Sequence, residues 1–253
     1  MKNKTRSLVP KNVTERIVRI MNIASSFLQD SIFRRDAKIG LLNGWKKVLA
    51  RTSGIGLLDV NDLVNWNDLE LRLCSPTSNA GQVSHLELLS IIGVLKSFLK
   101  PGQNFLEIGT FDGNTALNVA VNIPIESKVI TIDLPEDNVL GAKFAYDNLL
   151  IGSESRKKKK HLKLKNVEQI YHDSTTLDFS KFDFHAAFID GGHDYQTVKM
   201  DTLNVIGNIK RPGIIFWHDY DVECEIGDLL HDYATQYPIQ WIKETRLAFL
   251  RLE

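Results

Sequence analysis

The 253-residue chain has only two cysteines, Cys74 and Cys224, and neither sits in a CxxC pair. That leaves a thioredoxin-like or cysteine-rich zinc site without support and makes a reducing cytoplasm the simpler setting. The chain also lacks net charge, with 31 Lys and Arg balancing 31 Asp and Glu. A strongly basic nucleic-acid binder is therefore not indicated, and no nucleic-acid partner is expected. No apolar run reaches the roughly 18–20 residues that cross a bilayer. The basic N-terminus has no apolar stretch of the signal-peptide kind. The expectation is a cytoplasmic protein without a membrane span. One local charge excess stands out, Arg156-Lys157-Lys158-Lys159-Lys160. A solvated loop is the expected reading, with an acidic partner or membrane headgroup as the alternative.

What is present is a division of pattern. A turn-rich stretch, Ser75-Pro76-Thr77-Ser78-Asn79-Ala80-Gly81, separates two regions,. Residues 1–80 read as a helical segment, with helices over 12–30 and 40–50. This segment is expected to cover a crevice or to form a homo-oligomer contact. Its Phe33, Trp45 and Trp66 are read as core residues first and as lining of an acceptor pocket second.

Residues 81–253 alternate strands with helices. Strands are expected at 104–109, 128–133, 167–172, 184–189, 213–218, 239–243 and 247–252. Helices are expected at 85–99, 113–122, 140–150, 195–209 and 224–236. Alternation of this kind builds βαβ units and a mostly parallel sheet. Only Thr245 and Arg246 separate the last two strands, too short for a crossover, so these should pair as an antiparallel hairpin,.

The first cluster of chemically suggestive residues is Phe105-Leu106-Glu107-Ile108-Gly109-Thr110-Phe111-Asp112-Gly113. A strand runs into a glycine turn and a helix start, where backbone can approach a ligand and N–H groups are unsatisfied. Asp133 follows at the end of the next strand, placed to take the hydroxyls of a ribose. A dinucleotide fingerprint needs a second glycine where Thr110 stands, and the Walker lysine is absent, so NAD and ATP are both disfavoured.

The second cluster is Asp190-Gly191-Gly192-His193-Asp194-Tyr195, which follows the strand 184–189, and His218-Asp219 follows the strand 213–218. Neighbouring strands would then present acid and imidazole at the carboxyl edge of the sheet, where ligands of open α/β folds bind. Carboxylates suit Mg²⁺ and imidazole also suits Mn²⁺, Fe²⁺ or Zn²⁺.

Glu107 to Gly113 resembles motif I of class I S-adenosylmethionine-dependent methyltransferases in its catechol-O-methyltransferase-like form. The Asp-Gly-Gly-His-Asp-Tyr signature is similar to the type 24 methyltransferases, including macrolide-sugar enzymes. The resemblance spans about residues 80–253 and implies a Rossmann-like α/β fold with seven strands ordered 3-2-1-4-5-7-6, the seventh antiparallel. It implies that Glu107, Gly109, Thr110, Phe111 and Gly113 line the cofactor, with Asp133 at the ribose and Asp173 and Ser174 near the adenine. Asp190 would share in both cofactor and metal binding. Asp190 and Asp219, with His218, would hold Mg²⁺ or another divalent cation, although relatives often carry an acid at position 218. His193 would be the general base, with Asp190 as the second catalytic residue. The implied reaction is O-methylation of a small-molecule hydroxyl, on a sugar or another polyol or phenol. The alternatives are a scaffold protein that keeps the fold and, disfavoured by Thr110, a nicotinamide oxidoreductase.

Overall fold

A computed structural model describes residues 54–74, 83–135, 153, 156–220 and 225–253. Gly54–Glu253 forms one compact unit. The helices expected at 12–30, 40–50 and 140–150, together with Phe33, Trp45 and Cys224, lie outside the described residues. Among the described residues, no helix is long and apolar enough to cross a membrane.

All seven expected strands are present: β2 (Phe105–Ile108), β3 (Val129–Asp133), β4 (Val167–Tyr171), β5 (Ala186–Ile189), β6 (Gly213–Trp217), β7 (Gln240–Ile242) and β8 (Ala248–Leu252). An eighth strand, β1 (Gly56–Leu58), falls inside the stretch read from sequence as helical. The sheet runs β1-β7-β8-β6-β5-β2-β3-β4. Without β1 this is the expected 3-2-1-4-5-7-6 order, so the correction to the expected seven strands is one added edge strand. β1 pairs in parallel with β7, Leu57 opposite Trp241. β8 runs antiparallel to both β6 and β7, as the two-residue link requires.

The central strands are buried throughout and read as continuous apolar runs because helices cover both faces,. Helix α1 (His85–Phe98) and α2 (Asn114–Ala120) close one face. Leu88, Ile91, Ile92 and Leu95 of α1 pack with Phe105, Phe188, Phe216 and Phe249 of the sheet. Burial of each such side chain contributes about 1.5–3 kcal/mol. Helix α3 (Tyr195–Asn208) lies on the opposite face, where Trp217 Nε1 donates to Thr202. Helix α4 (Glu225–Tyr233) packs beside it, burying Ile226, Leu229 and Leu230. Trp66 is half-buried with this core; its ring lies where a Cβ on Gly93 of α1 would stand, 2.6 Å away. That favours the core reading of Trp66 over an acceptor pocket.

Candidate functional site

Parallel strands all point their carboxyl ends one way, so β2, β3, β5 and β6 deliver Gly109, Asp133, Asp190 and His218 to one edge. The turn after β2 is fixed by close packing. Gly109 has φ +95°, and a Cβ there would stand 1.9 Å from the Asp190 carbonyl oxygen. Gly113, at φ +75°, would place a Cβ 1.7 Å from His161 Nδ1. The sequence reading gave these glycines to a tight turn and to close approach of a ligand; neighbouring protein atoms already require them.

Thr110, which stands where a dinucleotide site has glycine, turns its hydroxyl onto Thr131 at 2.6 Å and accepts from Gln169 at 3.1 Å. Thr131 in turn donates to Glu107. Glu107 is buried, and burial raises its carboxyl well above the usual range, helped by the charges of Asp190, Asp133 and Asp112. Burial likewise raises Asp133, against the pull of Arg156.

Part of the basic run is not solvated, which corrects the expected loop. Arg156 is 5% exposed; its Nε sits 3.0 Å from Asp133, and its guanidinium also donates to the Leu134 carbonyl. Lys160 reaches Asp112 at 2.9 Å. His161 is fully buried against Gly113 and contacts Gln169 at 2.6 Å, and burial lowers its pKa. Arg156, Lys160, His161 and Gln169 were all missed by sequence reasoning. The charge run drew attention only as a surface.

Asp173, expected from the resemblance to lie near the adenine, accepts from the Thr175 N–H and hydroxyl, which is the ordinary turn role of an aspartate,. Ser174 accepts from Asn204 through its carbonyl. Asp201 of α3 lies near both loops. It is fully buried, and a Cβ on Gly191 would stand 3.4 Å from one of its carboxylate oxygens. Burial raises its pKa to about 7, with Asp173 and Asp194 adding repulsion.

The second cluster does assemble, with two additions. Asp194 caps α3, accepting from Gln196 and Thr197, so this part of the signature is structural. His193 Nε2 lies 2.7 Å from Asp219 Oδ2. His218 Nδ1 lies 3.0 Å from Asp190 and 3.1 Å from Asp219, while its Nε2 faces Glu87 at 3.3 Å. Glu87, from α1, closes a capping box with Ser84 and also accepts from the Arg246 N–H at 2.6 Å. The Arg246 guanidinium binds Asp219. Glu87 and Arg246 were not expected here. The Ser84-x-x-Glu87 spacing announces a cap, but nothing local announces its second partner.

The electrostatics follow from that packing. Burial alone would lower His218; the carboxylates around it outweigh burial and hold its pKa well above the usual imidazole range. Burial would raise Glu87, yet His218 and the backbone donors hold it down at about 2. Without a metal, two neighbouring strand-end carboxylates would repel and one pKa would rise. Asp219 instead lies far below the usual range, because His193, His218 and Arg246 outweigh its burial.

Asp190, His193 and Asp219 offer ligand atoms within 4.8 Å of one another. The set read from sequence, Asp190, His218 and Asp219, does not fit a cation in that form. His218 turns both ring nitrogens onto carboxylates, so neither is directed at an open position. Asp219 already meets two imidazoles and a guanidinium.

Residues 106–220 match a family model described as a methyltransferase domain. Over those residues the chain is similar to a methyltransferase domain. The match runs from the glycine turn to the residue after Asp219, so it contains both strand-end clusters. A search of curated proteins finds no match. Among solved structures, an rRNA methylase from Streptococcus thermophilus is similar at 15% identity and TM-score 0.45, covering 70% of this chain and 98% of that one. A SAM-bound amino pentose methyltransferase from Micromonospora echinaspora is similar at 12% identity and TM-score 0.38, covering 55% and 51%. The assignment rests on the family match.

Proposed function

We propose that the chain transfers the methyl group of S-adenosylmethionine to a hydroxyl of a small-molecule acceptor, a sugar or another polyol or phenol. The observation that carries this reading is the His193–Asp219 pair at the carboxyl edge of the sheet, 2.7 Å apart. His193 is partly exposed while Asp219 is buried behind it, which is the arrangement of a general base and the acid that orients it.

The donor set of the crevice fits a cationic methyl donor. Glu107, Asp112, Asp133 and Asp190 gather acidic groups there, and burial, with the neighbouring acids adding to it, raises Glu107. A sulfonium ligand relieves that repulsion and supplies an electrophilic methyl carbon. Glu107, Gly109, Thr110, Phe111 and Gly113 line its seat in this reading. Asp133 takes the ribose, and Asp173 and Ser174 flank the adenine. Arg156, now on Asp133, shares that carboxylate with the ribose hydroxyls or yields it.

His193 donates Nε2–H to Asp219 and takes the acceptor's proton at Nδ1. The acceptor oxygen forms its bond to the methyl carbon in line with the breaking carbon–sulfur bond, whose electron pair stays on sulfur. Asp190 shapes the acceptor side of this crevice.

Calorimetry with S-adenosylhomocysteine tests the cofactor seat, and bound ligand should also raise the melting temperature. His193→Ala should keep that binding and lose about 10²–10⁴-fold in turnover. No binding at millimolar ligand would refute the reading.

A further inference from the structure

The basic run before β4 has two sides. Arg156–Lys158 and Lys160–Lys163 form two short 3-10 turns. Three residues anchor the run inward. Arg156 holds Asp133, and Lys160 holds Asp112 through its ammonium and donates its N–H to the Asp112 carbonyl. His161 is buried against Gly113. Just beyond, Leu164 and Val167 pack against the core. Lys157, Leu162, Lys163 and Lys165 are exposed. Lys159 joins the two turns and lays its ammonium 4.6 Å over the centre of the Tyr171 ring. Tyr171 belongs to β4, the strand at one edge of the sheet. Strand alternation places Gln169 and Tyr171 on the side facing the run and turns Glu168 to the other; His161 meets Gln169 there at 2.6 Å. The acids beneath the run, Asp112 and Asp133, are already paired with Lys160 and Arg156. Among the described residues the outer side of the run is therefore cationic, with Leu162 in its midst, 52% exposed.

We propose that this outer side docks the chain on an anionic lipid surface, with Lys157, Lys159, Lys163 and Lys165 against the headgroups and Leu162 entering the acyl boundary. The chain as a whole has no net charge, so attraction to such a surface must come from a local concentration of cations, and this run supplies one. Its inward anchors matter as much. A lysine-rich stretch that is already folded loses less freedom on binding than a loose tail does. Arg156, Lys160 and His161 hold the backbone while the outer lysines keep their reach.

A phosphate backbone of nucleic acid offers the same charge, but the details favour a bilayer. An exposed leucine among lysines has a use at the boundary of headgroup and acyl chain, and a sugar–phosphate strand offers it nothing. Tyr171, 41% exposed, carries the Lys159 ammonium over its ring, where a stacked base would need an open face,. Tyrosine beside lysine suits the bilayer interface, where an apolar ring and a charged tip are both accommodated. The turns of three and four residues are also too short to lie along a groove as a recognition helix does,.

The test floats the full chain with vesicles of phosphatidylcholine alone and of phosphatidylcholine mixed with phosphatidylglycerol. Wild type should rise with the anionic vesicles only and release as salt is raised. Lys163→Gln combined with Lys165→Gln should weaken this binding by roughly 30-fold, about fivefold for each lysine lost. Leu162→Ser should weaken it severalfold and leave its salt dependence unchanged. These side chains are exposed and none is placed at the cofactor seat, so the melting temperatures should match wild type. Equal binding to neutral vesicles, binding to neither, or anionic binding that the double substitution leaves intact would overturn the proposal. So would unchanged binding by Leu162→Ser. Tighter binding to single-stranded RNA than to the anionic vesicles at one salt concentration would give the face to a nucleic acid instead. None of these readouts needs methyl transfer, so this proposal and the methyl-transfer reading fail separately.

Discussion

The turn after β2 and the cluster beyond β5 and β6 lie side by side at one edge of the sheet but are built by opposite means. The turn is held by contact. Gly109 and Gly113 sit where backbone and an imidazole leave no space for a side chain, and its partners Thr110, Thr131 and Gln169 are small or neutral. The cluster is held by charge. Glu87, Asp190, His193, His218, Asp219 and Arg246 form a network in which each acid meets a cation. Close packing tolerates no added atom, whereas a charge network tolerates added atoms and no lost partner. The two halves should therefore fail differently.

The largest expected effect breaks the turn. Gly109→Ala puts a Cβ 1.9 Å from the Asp190 carbonyl at φ +95°, so both strain and overlap oppose it. We expect a loss above about 4 kcal/mol or no folded protein. Circular dichroism and soluble yield check this, and a near-normal melting temperature would show that the turn relaxes. Because the obstructing atom belongs to Asp190, the injury reaches the cluster as well.

A middle effect belongs to Asp201, which lies between the two halves. Its folded pKa of about 7 exceeds the ordinary aspartate value, so the folded chain binds this proton more tightly than the unfolded chain. That contribution is full below about pH 4, fades as pH rises, and is gone above about pH 7. At roughly 1.4 kcal/mol per pKa unit it amounts to about 4 kcal/mol at most. Urea unfolding at pH 5 and pH 8 should show wild type losing stability with rising pH more steeply than Asp201→Asn. Parallel profiles would mean that the carboxyl is solvated in solution.

The smallest expected effect sharpens the contrast by removing one of the charge pairs beside the turn, leaving Lys160–Asp112 in place. Arg156→Ala leaves Asp133 buried without its guanidinium, which should cost about 1–3 kcal/mol in the ligand-free protein. With S-adenosylhomocysteine bound the deficit should shrink, because ribose hydroxyls then satisfy the carboxylate. Thermal melts with and without ligand measure this. An equal deficit in both would place the ribose away from Asp133.

The same contrast explains what could be read from sequence. The turn was legible because contact constraints are local and mark themselves as glycine: β2, Gly109, Gly113 and Asp133 all fall where the pattern put them. The central strands were legible because strands buried on both faces are apolar almost end to end. The cluster was half legible. Asp190, His193, His218 and Asp219 announce themselves at strand ends, but Glu87 looks like one more polar residue of an amphipathic helix, and Arg246 looks like a turn residue. Their meeting is set by tertiary packing across 131 and 159 positions of chain. Arg156 was hidden differently, inside a run whose average property is exposure. β1 was missed because three residues with no alternation make a strand only when a partner edge is offered.

That edge strand has a consequence for how the chain can be divided. β1 lies along β7, and Lys243 N–H reaches past it to the Leu58 carbonyl. A chain begun at residue 81 would keep both strand-end clusters and lose β1. The bonding edge of β7 would then be bare, next to the fully buried Trp241, and a bare edge recruits strands from other molecules. Residues 56–58 thus act as a selvedge, the woven border that keeps the sheet from binding to its own kind.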